Sequence, residues 1–402
     1  MTATASPPAG ESHVEPVVAP PPGNPRFPLI DSLRALAAIS VVVYHTAYAS
    51  LASFIAWYRP VVGHLDVGVP LFFAISGFLL YRPFAAAHFK GGARPRTRDY
   101  LRRRVLRIVP AYWLALTVLA IYPGLAGVFS EGSWRYYGFL QIYDSDTVLA
   151  GLPQSWSLAV EATFYLALPV YAIAIRRVSR GRGTDSVLRV EIATLALLAL
   201  ASLVWRTWRI HEGSLIAQTT LPGLFTWFAP GMALAVLSVA MEEGGRRWRA
   251  AAVVARRPWL PWLAAAAAFA LLAATVEPVL IGGPGASGLD YLTINVCSAI
   301  VAVLVLVPAV VGTEGGGAVR GLLSLRVLAW LGLISYGIFL WHHTPMLWLV
   351  NHGALTWIPG SGFAVLTVVT LAFAVSAATL SYYLVERPIL RFKDPRRGRR
   401  VG

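Results

Sequence analysis

The chain has 402 residues, 57% of them hydrophobic and only 13% charged, with one cysteine and a formal net charge of +15. A soluble chain of this length needs more polar surface, and a membrane β-barrel needs an apolar–polar alternation that the long apolar runs lack. Composition therefore points to an all-α, polytopic transmembrane helical bundle. The lone Cys297 excludes disulfides, a paired redox motif and a cysteine-based metal site.

Residues 1–25, rich in Pro, Ala and Val, carry Glu11 and Glu15 and lack a basic n-region before an apolar core. They read as a disordered cytosolic lead and not as a signal peptide. A transmembrane domain is expected over 26–390, with ten spans at 28–49, 67–86, 108–127, 155–175, 188–205, 222–240, 259–276, 290–311, 327–349 and 362–385. Pro230–Gly231 is expected to kink the sixth. The extension 391–402 is basic and suits lipid headgroups. With the N-terminus inside, 29 of the 34 Lys and Arg residues fall in inside segments. That asymmetry places both termini in the cytoplasm, makes the protein a multi-pass component of the cell membrane, and accounts for the net charge without any nucleic acid.

The first span, LIDSLRALAAISVVVYH, carries Asp31, Arg34 and His45. At 100° per residue these share one helical stripe, and ionisable groups in a span are functional candidates. Helical rise puts His45 about 6 Å, Glu161 about 8 Å and His342 about 10 Å below the outer ends of their spans, in one layer. His45 is thus a candidate general base, with Glu161 the expected orienter of its ring. Neighbours on one helix diverge by about 100°, so His342 and His343 are not expected to face one ion. At the inner mouth, Arg104 and Arg107 share a face within DYLRRRVLRIVPAYW, which suits a phosphate-bearing ligand. Ser76 and Gly77 in GVPLFFAISGFLLY permit close helix approach. These residues suit either an enzyme or a proton-coupled secondary transporter of a small polar molecule; no matching repeat halves favour the transporter.

The first-span block, with GVPLFFAISGFLL, RRRVLRIVPAYW, SWSLAVEATFYLALP, LGLISYGIFLWH and YYLVERPILR, resembles the acyltransferase 3 family of integral membrane O-acyltransferases. The blocks come in the family's order over about 27–392. The resemblance implies transfer of an acyl group, acetyl or another short chain, from acyl-CoA to a hydroxyl of a glycan, cell-surface polymer, lipid or secondary metabolite. It implies Arg34, Arg104 and Arg107 on the acyl-CoA side, and His45, Glu161 and His342 as catalytic residues. Acyl-CoA then enters as a co-substrate, and no bound cofactor or metal is expected. Two positions depart from the family pattern. Pro70 stands where many members carry Asp, with Asp66 displaced from that place, and His343 stands where Trp is frequent. Some members carry an extracytoplasmic hydrolase-like domain; this chain is expected to act without one.

Overall fold

The computed structural model describes residues 27–89, 94–211, 214–244, 248–278, 287–312 and 316–393. The expected disordered lead 1–25 and all but the first three residues of the tail 391–402 lie outside these. The described residues are helical, with no strand among them. Numbering only the longer helices, the chain runs α1 (Leu29–Ala49), α2 (Gly68–Phe89), α3 (Thr97–Leu119), α4 (Trp156–Ser179), α5 (Thr184–His211) and α6 (Leu221–Gly244). It continues through α7 (Arg249–Arg256), α8 (Trp259–Thr275), α9 (Gly288–Leu306), α10 (Arg326–Leu333), α11 (Ser335–Trp341), α12 (His343–Asn351) and α13 (Gly362–Ser381).

Eight helices among the described residues are long and apolar enough to cross a membrane, and a ninth span results if the pair α7–α8, bent by 94°, is one span. Two of the ten expected spans differ. The seventh is a 17-residue helix, α8, joined to α7 across the bend. The ninth, 327–349, is not one helix: it breaks at Ile334 and again at His342 into α10, α11 and α12. Pro345 stands beside the second break. It has no N–H for the carbonyl one turn back and falls in the first turn of α12, although Pro83, Pro110, Pro169 and Pro230 lie inside helices that continue. The third span begins at Thr97, well before the expected 108, because arginine and leucine are good helix formers even where hydropathy falls.

Small residues set the tightest crossings, as lipid-phase packing requires. A Cβ on Gly231 of α6 would lie 1.9 Å from the carbonyl oxygen of Ala74 on α2, and one on Gly77 would lie 2.4 Å from that of Phe228. Likewise, a Cβ on Gly332 of α10 would fall 1.7 Å from the Asp31 carbonyl of α1. The outer surface is apolar in turn: Leu166, Val170, Leu197, Val204, Leu263 and Val368 are each more than half exposed. In water that many exposed aliphatics would be a liability; against lipid tails they are the matching surface.

Candidate active site

Two cavities lie end to end inside this bundle. The one called inner, after the orientation expected from the sequence, is lined by Arg34, Arg104, Arg107, Glu161, Tyr165 and apolar side chains of α2. The one called outer is lined by His45, Asp66, Arg206, Gln154 and several aromatic rings. Val69, Ser157 and Phe339 line both, so they form the shared wall. The stripe on α1 feeds both cavities, with Arg34 on one and His45 on the other; eleven residues of helix separate them by about 16 Å. Asp31 lines neither.

Three guanidiniums and one carboxylate line the inner cavity, and the Asp31 and Glu386 carboxylates lie within electrostatic reach of Arg34 beyond that lining. Arg34 is within electrostatic reach of Arg107, Asp31 and Glu161. Arg104 has a buried Nε with no hydrogen-bond partner among the described residues. An unpaired buried donor carries a desolvation cost that an anionic ligand offsets. The sequence's Arg104–Arg107 pair and Arg34, which come from different helices, are thus brought to one cavity.

The expected role of Glu161 as the orienter of His45 does not match the geometry. Its carboxylate accepts a hydrogen bond from the Ser76 hydroxyl and faces the arginine cavity. Equal depth in the membrane had suggested contact; α4 instead turns this face towards α2, and depth alone does not fix the angle about a helix axis. Ser76, a packing position in the sequence, becomes the partner that positions Glu161.

His45 has a different partner. Its Nδ1 lies 2.9 Å from the Val41 carbonyl oxygen and 3.1 Å from Nε2 of His342. His342, fully buried, has its own Nδ1 2.8 Å from the Phe339 carbonyl oxygen. A carbonyl only accepts, so Nδ1 of His342 carries the proton and its Nε2 offers a lone pair. Both neighbours of His45 Nδ1 are then acceptors, which assigns the proton there too. Nε2 of His45 is left with its lone pair and no partner among the described residues, on a ring that lines the outer cavity. Two imidazoles thus form a hydrogen-bonded chain that ends on a peptide carbonyl.

The pair stands at a helix junction: α11 ends at Trp341, and His342, with φ −82° and ψ −41°, joins it to α12. The rings of His342 and His343 both lie 5.0 Å, centroid to centroid, from that of His45, contrary to the divergence expected of one continuous helix. Gln154, 2% exposed, holds the broken segment by donating from Nε2 to the Leu340 carbonyl at 2.9 Å. Tyr336 does the same across to α3, donating to the Ile108 carbonyl at 2.9 Å.

Asp66, displaced in sequence from the place where many family members carry Asp, lines the same outer cavity as Pro70 one turn later. The short turn that carries it is pinned: His64 Nε2 lies 2.9 Å from the Val276 carbonyl oxygen, and Gly63 sits against Pro278. Arg206 and Gln154 were missed from the sequence altogether. Arg206 sits on α5 in a stretch without a motif, one residue past the expected span 188–205, where it counted only as a loop arginine.

Fold and site together define a polytopic helical membrane protein with an arginine-lined chamber, a polar aromatic chamber and a histidine pair beside their shared wall. The chain belongs to the acyltransferase 3 family, whose model, described as an acyltransferase domain, matches residues 27–379. It is 26% identical over 387 residues to the putative peptidoglycan O-acetyltransferase YrhL of Bacillus subtilis (strain 168), covering 90% of this chain and 55% of that protein. The identity is again 26%, over 385 residues, with the peptidoglycan O-acetyltransferase OatA of Listeria monocytogenes, covering 90% and 55%. It is 22% with the O-acetyltransferase OatA of Staphylococcus aureus, covering 91% and 58%. The chain thus spans a little over half the length of these curated relatives. No solved structure matches it.

Proposed function

We propose that this protein is a cell-membrane O-acyltransferase that moves an acetyl or other short acyl group from acyl-CoA to a hydroxyl acceptor, with both termini in the cytoplasm. Family membership and the relatives named as O-acetyltransferases support the reaction class. Two relatives are named for peptidoglycan, which favours a cell-envelope glycan over a lipid or metabolite acceptor. The observation that carries the reading is the His45–His342 pair beside the wall between an arginine-lined and a polar chamber.

On this reading the CoA phosphates rest on Arg34, Arg104 and Arg107, and the thioester reaches the shared wall. The acceptor hydroxyl gives its proton to His45 Nε2 as its oxygen attacks the thioester carbonyl carbon. The new cation is shared from Nδ1–H with Val41 and His342, both of which accept. Ser157 lines both chambers and supplies a hydroxyl donor for the oxyanion. His342 does not serve there, because its Nδ1–H is committed to Phe339 and its Nε2 accepts from His45. Collapse breaks the C–S bond, and the CoA thiolate takes the proton back from His45. A proton-coupled carrier fits this family membership less well and leaves the arginine chamber without a use.

The test is transfer of label from radiolabelled acetyl-CoA in membranes holding the chain. His45→Ala should lower transfer by about a thousandfold while the protein remains folded. Unchanged transfer rejects the general base, and labelled-substrate uptake without acyl-CoA rejects the transferase altogether.

A further inference from the structure

We infer that a pocket at the end of the bundle where α2 and α4 finish holds the headgroup of an anionic phospholipid bearing two phosphates, with a tail laid along α4. Arg94, Arg176, Arg177, Arg180 and Arg182 line this pocket, and no carboxylate does. They come from three places: the approach to α3, the last turn of α4 and the turn into α5. Gly181, at φ +75°, lets the chain turn between Arg180 and Arg182. None of the five makes a side-chain hydrogen bond or ion pair among the described residues. The acidic groups near them in sequence are accounted for. Asp99 and Asp185, in the first turns of α3 and α5, stand outside the lining, and Asp185 has a partner of its own. Glu191 is fully buried; it accepts from the Tyr81 hydroxyl at 2.5 Å and lies 2.6 Å from Nδ1 of His88, which lines the pocket. Like charges gathered on one concavity repel each other, and a multiply charged anion relieves that. Guanidinium forks match phosphate oxygens in particular.

The apolar part of the site points to a lipid and not to a free phosphate. Ala87, Phe89 and Ile173 line the pocket together with the arginines. On α4, Leu166, Val170, Ile173 and Arg177 follow at spacings of four, three and four, which sets them on one face of the helix. Leu166 is 64% and Val170 67% exposed, so that face is turned away from the core. An exposed apolar stripe therefore leads straight to the arginines. From Leu166 to Arg177 the helix rises about 16 Å, close to half of a hydrocarbon core of roughly 30 Å. The stripe is as long as one leaflet is deep, and its charged end lies at headgroup level. A soluble diphosphate uses the arginines and leaves the stripe idle. A zwitterionic phospholipid uses the stripe but brings a cation of its own against five others. A lipid with two phosphates and no cation satisfies both parts, as basic pockets between membrane helices do elsewhere. The site needs only the membrane fold and does not rest on the acyltransferase reading.

The experiment presents the full chain, purified in detergent, with three probes: cardiolipin, phosphatidylcholine and inorganic pyrophosphate. Bound lipid is read by native mass spectrometry. Cardiolipin should be retained about tenfold more than phosphatidylcholine, and pyrophosphate in excess should not displace it. The double variants Arg177→Gln with Arg180→Gln, and Arg94→Gln with Arg182→Gln, should each lower cardiolipin retention about tenfold. Their thermal midpoints without lipid should stay at the wild-type value. The pairs come from different segments, so a loss in both is independent of one misfolded protein. Leu166→Ala with Val170→Ala should weaken cardiolipin about threefold through lost tail contact. Equal retention of phosphatidylcholine, or cardiolipin retention that both arginine pairs leave unchanged, overturns the site. Displacement of cardiolipin by pyrophosphate also overturns it, because the arginines then serve a soluble phosphate.

Discussion

In the proposed reaction His342 serves as an acceptor and not as an acid. Its Nδ1–H is fixed on Phe339, so its Nε2 lone pair holds the proton of His45 on Nδ1 and keeps Nε2 basic. Replacing it by Phe removes that acceptor without removing the ring. His342→Phe should lower the rate constant about a hundredfold with little change in acyl-CoA KM, measured as label transfer at several acyl-CoA concentrations. Arg104→Ala acts on the other chamber and should raise the acyl-CoA KM about tenfold or more, since it removes one charge-assisted donor. An Arg104 variant that changes only the rate constant argues against a phosphate role for the inner chamber. These residues were legible in the sequence because they are costly inside a membrane. Their partners were not: that His45 pairs with His342 and Glu161 with Ser76 depends on the angle at which each helix faces its neighbour.

At the scale of elements, the break between α11 and α12 decides the site. Pro345 cannot donate back along the chain, and beside it the His342 and His343 rings both lie 5.0 Å from that of His45 on α1. Pro345→Ala restores the missing donor and lets one helix run through. It should cut transfer about a hundredfold through misplacement of His342, while the thermal midpoint holds or rises. A wild-type rate in that variant means Pro345 does not set the geometry. The α2–α6 crossing is sensitive in the opposite way. Gly231→Val places a branched side chain where backbone already stands and should cost about 3 kcal/mol or more, read as a lowered unfolding midpoint in detergent. The sixth span and its glycine were readable from sequence. The break in the ninth was not, because a hydropathy window registers apolar content and not hydrogen-bond continuity.

For the whole molecule, the two chambers lie in series along α1, so the donor and acceptor sides of the proposed reaction are set by orientation in the bilayer. The basic stretches after α2 and α4 are proposed to face the cytosol. In a Cys297→Ala background, Arg182→Cys should react with an impermeant thiol reagent only in inside-out vesicles, and Trp57→Cys, 91% exposed in the native chain, only in right-side-out ones. The reverse pattern inverts the donor and acceptor faces.

Sequence by itself determined the class: a helical bundle for lipid, its polar residues few enough that each one stood out, and six blocks in an order shared with the acyltransferase 3 family. Those are local properties, fixed by composition, periodicity and spacing along one chain. Tertiary structure alone decided which polar groups meet. It took Glu161 away from His45 and gave that place to His342, brought Asp66 into the chamber of Pro70, and added Gln154 and Arg206, which no motif marks. Such pairings depend on the rotation of packed helices and on one broken turn, and neither leaves a period in the sequence.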